Sequence, residues 1–98
     1  MSSDSDREID KVIHEPARLK IVAQLYVVES ADMVFLMRQT ELTWGNLSSH
    51  VTKLEHAGYV DITKEFVEKK PRTTLQLTPE GRKAFELYRK NIKRMLNV

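Results

Sequence analysis

No cysteine occurs among the 98 residues. That excludes a disulfide scaffold, a thiolate zinc site and a cysteine nucleophile. Glycine and proline number three each, too few for a loop-built or fibrous chain. No apolar run approaches the ~20 residues that a membrane-spanning helix needs. The first six residues, Met1-Ser2-Ser3-Asp4-Ser5-Asp6, are polar and acidic, unlike a secretory signal. The expectation is a cytoplasmic protein with no membrane partner. What is present is an ordinary globular balance, 41% hydrophobic and 31% charged. Its length suits one domain over residues 1–98.

Catalytic signatures are also scarce. There is no P-loop, no paired-glycine phosphate loop and no nucleophile elbow. The histidines are His14, His50 and His56. The last two fall on different faces of one helix, so they cannot share a metal. Carboxylates are scattered over polar faces. The chain is therefore expected to be a non-enzyme, with no catalytic residue, no metal and no cofactor.

Charge is unevenly spread. The net charge of +2 divides into −3 over residues 1–16, zero over 17–42 and +5 over 43–98. A basic C-terminal half suits a polyanionic partner, and also suits a solvated lysine-rich surface.

The hydrophobic pattern gives an order of elements. Residues 5–13 suit a short helix with Ile9, Val12 and Ile13 on one side. Pro16 fits the first turn of a helix over 16–29. Leu19, Ile21, Val22, Leu25, Tyr26, Val27 and Val28 make that helix apolar nearly all round, hence deeply buried. Ala31 to Val34 reads either as a short strand or as a helix entry. Leu36, Met37 and Thr40 suit two helical turns, with a tight connection at Thr40-Glu41. Thr43 is a good N-cap, and Leu47, Val51 and Leu54 then repeat on one helix face until Gly58 stops it. A short helix, a tight turn and a helix over 43–57 make a helix-turn-helix.

Two strands follow. Val60, Ile62 and Phe66 alternate over 59–67, and Thr73, Leu75 and Leu77 alternate over 73–78, both as half-buried strands. Glu68-Lys69-Lys70-Pro71-Arg72 reads as a basic loop joining them into a hairpin. Thr78 as N-cap, Pro79 at N1 and Glu80 near the positive dipole end start a last helix. It runs to about Leu96 with Phe85, Tyr88, Ile92 and Met95 or Leu96 as its stripe. A helix-turn-helix followed by a basic hairpin is a winged helix: α+β, mostly helical, with a two- or three-stranded wing and a long C-terminal helix.

Several stretches also match a known pattern. Leu42-Thr43-Trp44-Gly45-Asn46-Leu47-Ser48-Ser49-His50-Val51, Lys53-Leu54-Glu55 and Ala57-Gly58-Tyr59-Val60 are one set. Pro71-Arg72-Thr73 and Leu77-Thr78-Pro79-Glu80-Gly81-Arg82 are the other. Together they resemble the small winged-helix DNA-binding regulators of archaea and bacteria, relatives of the MarR and ArsR repressors, over roughly residues 14–96. The departures are Trp44, where Pro or a small polar residue is common, and Lys69-Lys70-Pro71-Arg72, where MarR wings carry an aspartate. Glu15 also stands before Pro16, where a better capping residue is common. The resemblance implies a homodimeric transcriptional regulator, more often a repressor, bound to double-stranded DNA.

A helical wheel sorts the side chains of 43–57. Leu47, Val51 and Leu54 point to the core. Thr43, Gly45, Asn46, Ser48, Ser49, Thr52 and Lys53 fall on the outward or N-terminal side, where short polar groups let a helix approach base edges. Trp44 lies in the first turn and His50 on the flank, as packing groups or backbone contacts. Lys69, Lys70 and Arg72 of wing 67–72 suit phosphates or the minor groove. Ile9, Val12, Ile13, Phe85, Tyr88, Ile92, Met95 and Leu96 are the expected dimer interface, because so long a helix outruns so small a domain. A small-molecule effector at that interface is left open and unidentified. The rival reading is a winged-helix protein–protein module with Phe35 or Trp44 as its anchor. Binding of RNA or single-stranded DNA is a third reading, with Trp44 the one stacking aromatic near the basic surface.

Overall fold

The computed structural model describes residues 9–98. The region expected to be helical over 5–13 falls partly outside them. Its described part is a turn, not a helix. The cause is local: the Asp10 carboxylate accepts from the backbone N–H of Val12 (2.8 Å) and of Ile13 (3.2 Å), competing with a helical ladder. Asp10 also accepts from the Tyr59 hydroxyl at 2.5 Å, and Arg18 Nε donates to the Val12 carbonyl. The segment is thus pinned to the body, with Ile13 fully buried.

Helix α1 (Pro16–Val27) begins with Pro16 at its first position and Glu15 as N-cap. The Glu15 carboxylate accepts from Arg18 N at 2.8 Å. That bond, together with the nearby His50 and Arg18 charges, holds its carboxyl below the usual range. Glu15 therefore serves well as a cap, despite its rarity in that role. The helix buries Ala17, Ile21, Val22 and Leu25 and ends two residues before the expected 29. It is one-sided rather than buried all round, and Val27 is exposed.

Both readings of residues 31–34 are realised in sequence. Strand β1 (Ser30–Asp32) is followed at once by helix α2 (Met33–Thr40), with Asp32 capping the helix through Phe35 N at 2.8 Å. Glu41 takes the left-handed conformation and turns the chain into helix α3 (Trp44–His56), whose N-cap Thr43 accepts from Asn46 N. Leu47, Val51 and Leu54 are buried, as their spacing requires. At the other end Gly58 has φ 81°. Gly58 N donates to Glu55 O (2.9 Å) and Tyr59 N to Leu54 O (3.0 Å), the paired bonds of a Schellman stop.

Strands β2 (Val60–Val67) and β3 (Lys70–Leu77) form the hairpin, and β1 joins the other edge of β3, giving an antiparallel sheet in the order β1-β3-β2. Two expectations are corrected here. The basic stretch 68–72 is not a five-residue loop: only Glu68 and Lys69 turn, both with positive φ, and Lys70, Pro71 and Arg72 are already strand. Pro71 is tolerated because β1 pairs only with residues 74–76, so its missing N–H faces no partner strand. Phe66 is not half-buried but 78% exposed, because the hairpin runs past the core. Helix α4 (Pro79–Leu96) closes the chain, capped by Thr78.

The core gathers residues from every helix and from all three strands, including Ile21, Leu25, Leu36, Leu47, Leu54 and Leu75. Among the described residues no helix is long and apolar enough to cross a membrane. The Asp10–Tyr59 contact gives a pH signature. Burial first, and then the Asp10 carboxylate, push the Tyr59 phenol up to about 12. A value raised on folding means stability fully present below pH ~10 and lost as the pH climbs through 12. Tyr59 is expected to ionise only near pH 12 in an alkaline absorbance titration, and Asp10→Asn to bring its value down. Ionisation of Tyr59 near pH 10 would count against the contact.

Candidate nucleic-acid interface

Helix α3 and its cap present the outward set of the wheel, together with Trp44 of the first turn. Thr43, Trp44, Gly45, Asn46, Ser48, Ser49, Thr52 and Lys53 are all exposed. No side chain from elsewhere lies against Gly45, whose position leaves open space. Thr52 Oγ1 donates to the Ser48 carbonyl at 3.0 Å, which leaves its acceptor lone pairs turned outward. Small, exposed polar groups on a capped helix are what close approach to base edges requires.

His50 leaves that set. Its ring is turned toward α1, with Nδ1 3.2 Å from Arg18 Nη1 and 3.7 Å from a Glu15 oxygen, and it is 20% exposed. That is the packing role which its place on the flank of the wheel allowed. Its position ties α3 to α1 and so fixes the angle at which α3 is presented.

The wing stands beside α3. Lys69 is at its tip, Lys70 opens β3, and Arg72 sits opposite Glu65 in the strand register. All three cations are exposed. Between wing and helix runs an open groove lined by Trp44, Ser48, Thr52, Ile62, Lys64 and Thr73. A second groove joins Trp44 to Val34, Lys70, Pro71 and Arg72. Trp44, 55% exposed, borders both, so its ring stands between the helix and the wing. Lys64 escaped the reading of the sequence. The signal was there: Ile62, Lys64 and Phe66 share one strand face by period two, and Ile62 already marks that face as the one toward α3.

The expected dimer set divides. Ile13, Phe85 and Tyr88 are buried in the chain's own core, with Tyr88 Oη 2.8 Å from His14 Nδ1. They are corrected to internal packing, because α1 and the N-terminal turn lie over the first half of α4. Ile9, Val12 and Ile92 are half-buried against the core. Met95 and Leu96 are more than half exposed, past the point where the domain body ends.

Comparisons with known proteins agree with this geometry. The family model for a winged helix DNA-binding domain matches residues 17–96. An uncharacterised protein of Methanocaldococcus jannaschii is 36% identical over 78 residues, spanning 80% of this chain and 85% of that one. The structure of a transcriptional regulator homologue from Pyrococcus horikoshii superposes with a TM-score of 0.86 at 26% identity, covering 99% of this chain and 96% of that chain. A MarR-family transcriptional regulator from Silicibacter pomeroyi shares the fold at a TM-score of 0.61 and 20% identity, over 86% of this chain and 58% of that chain.

Proposed function

This chain belongs to the winged-helix DNA-binding domain family, and we propose from that premise that it is a DNA-binding regulator of the MarR-like kind that acts as a homodimeric repressor of transcription. The chain acts as one winged-helix unit. Helix α3 enters the major groove with Gly45, Asn46, Ser48, Ser49 and Thr52 toward the bases. Thr43, Trp44 and Lys53 lie against the backbone. Lys69, Lys70 and Arg72 of the wing meet flanking phosphates or the minor groove. Two subunits pair through the distal half of α4 at Ile92, Met95 and Leu96, with Ile9 and Val12 beside it, and read a pseudo-palindrome. Occupancy of a promoter in the cytoplasm blocks transcription. The observation that carries this reading is the conjunction of a bare, small-residue helix start with a cationic hairpin on the same side of the molecule.

The test is fluorescence anisotropy of the protein on mixed-sequence duplex DNA across a salt series. Micromolar or tighter binding at low salt is expected, with log affinity falling linearly against log salt. A protein–protein module would show no such binding, and a folded protein silent on duplex DNA at low salt sinks the proposal.

A further inference from the structure

An apolar pair near the wing tip is left without a role by the DNA contacts assigned above. Phe66 is 78% exposed, and Pro71 stands directly opposite it in the register. Val67 and Lys70 close the two-residue turn as a hydrogen-bonded pair, so Phe66 and Pro71 form the next, non-hydrogen-bonded pair. Side chains in such a pair stand close together on one sheet face. That face is settled by the strand itself. Val60, Ile62, Lys64 and Phe66 alternate onto it; Val60 is buried, and Ile62 and Lys64 line the groove that holds Ser48 and Thr52. Phe66 therefore points to the side on which α3 stands, about 13 Å beyond Ile62 along the strand.

Its surroundings name the occupant. Lys64 shares its face and Lys69 stands at the tip, while Lys70 and Arg72 alternate to the other face with Glu65, and Glu68 lies in the turn; residues 64–72 thus carry four cations and two carboxylates, a net +2. An aromatic knob on a hairpin tip of net positive charge is poorly matched to an apolar protein surface. It is well matched to a polyanion with an apolar interior, which is a stacked duplex between its phosphates. About half a helical repeat, ~17 Å, separates the major groove from the adjacent minor groove on one face of DNA, comparable to the reach of the wing beyond its last core residue.

We propose that Phe66, backed by Pro71, is a wedge that enters the minor groove beside the site of α3, parts one base step and bends the duplex. This rests on the DNA-binding reading above. It makes Phe66 a specificity-determining residue, because pyrimidine–purine steps open more easily than others.

The experiment uses the full chain with a ~30-base-pair mixed-sequence duplex carrying a dye at each end. The wild type is expected to raise energy transfer between the ends on binding. Phe66→Ala is expected to bind about tenfold more weakly with an unchanged salt slope and to abolish that rise, while Phe66→Leu keeps both properties. The wedge is overturned if the wild type binds without bending the duplex, or if Phe66→Ala bends it as the wild type does. A flattened salt slope in Phe66→Ala overturns it too, since the ring would then only be holding the cations in place. Failure of the wild type to bind any duplex is a separate result: it removes the DNA-binding reading, and the wedge with it.

Discussion

Gly81→Ala is expected to destabilise the fold by about 3 kcal/mol and to lower the melting temperature by ~15 °C. The added methyl would sit 2.1 Å from the Tyr59 carbonyl oxygen and within 3.0 Å of two more atoms of that residue's backbone. No rotamer change relieves a clash with backbone. The Tyr59 carbonyl is itself committed, accepting from Thr78 N at 3.0 Å. Thr78 in turn donates to the Gly58 carbonyl (2.6 Å) and accepts from Gly81 N (2.9 Å). These bonds join the stop of α3 to the start of α4. Moving either apart loosens the seat of α3, so the damage spreads beyond the clash itself. Gly45→Ala is the control. Nothing lies within 4 Å of the added carbon, and alanine favours helix over glycine by up to about 1 kcal/mol, so that variant should melt no lower than the wild type. Thermal denaturation followed by circular dichroism checks both. A Gly81→Ala protein within ~2 °C of the wild type would show that α4 docks with more slack than the close approach allows.

The elements were legible wherever a local rule decides them. Thr43 and Gly58 bracket α3 because a hydroxyl cap and a left-handed glycine each act within a few residues. Thr78-Pro79 starts α4 for the same reason. Legibility failed where distant chain decides. Asp10 reads as one more polar residue of an amphipathic helix until its partner Tyr59, 49 residues away, is in place. His50 reads as either a packing group or a backbone contact, and only Arg18, 32 residues away, decides between them. Phe66 continues the alternation of Val60 and Ile62 yet projects into solvent, because the hairpin reaches past the core. Phe85, on its helical stripe, packs against Tyr26 with ring centroids 5.0 Å apart. The wing misled for another reason. Glu68-Lys69 lacks the glycine or asparagine that a two-residue hairpin favours, so the turn was hidden within a longer basic stretch. Left-handed conformations at two such residues are costly and are held in place by the ladder of pairs from Val67–Lys70 back to Val60–Leu77.

Changing Lys69, Lys70 and Arg72 together to Ala is expected to weaken duplex binding by at least about a hundredfold at ~0.1 M salt. The log–log salt slope should flatten by about one unit for each phosphate that is no longer neutralised. The turn sets these magnitudes. Because the chain reverses in two residues, Lys69 and Lys70 are held at the end of a paired ladder rather than on a loose loop, so little ordering entropy opposes their meeting phosphates. Arg72 lies opposite Glu65 in the strand register and is exposed, so its guanidinium is available to an anion. Substitutions at Ser49 and Thr52 should behave differently. In the proposed docking those groups face bases, and their removal is expected to cut discrimination between duplex sequences while leaving the salt slope in place. The two classes of variant thus separate the two halves of the interface: slope reports the wing, and sequence preference reports α3. If the triple variant keeps the wild-type slope, the wing cations are solvated in the complex, and the positive charge that draws DNA lies elsewhere, on the Arg82, Lys83, Arg89, Lys90, Lys93 and Arg94 face of α4.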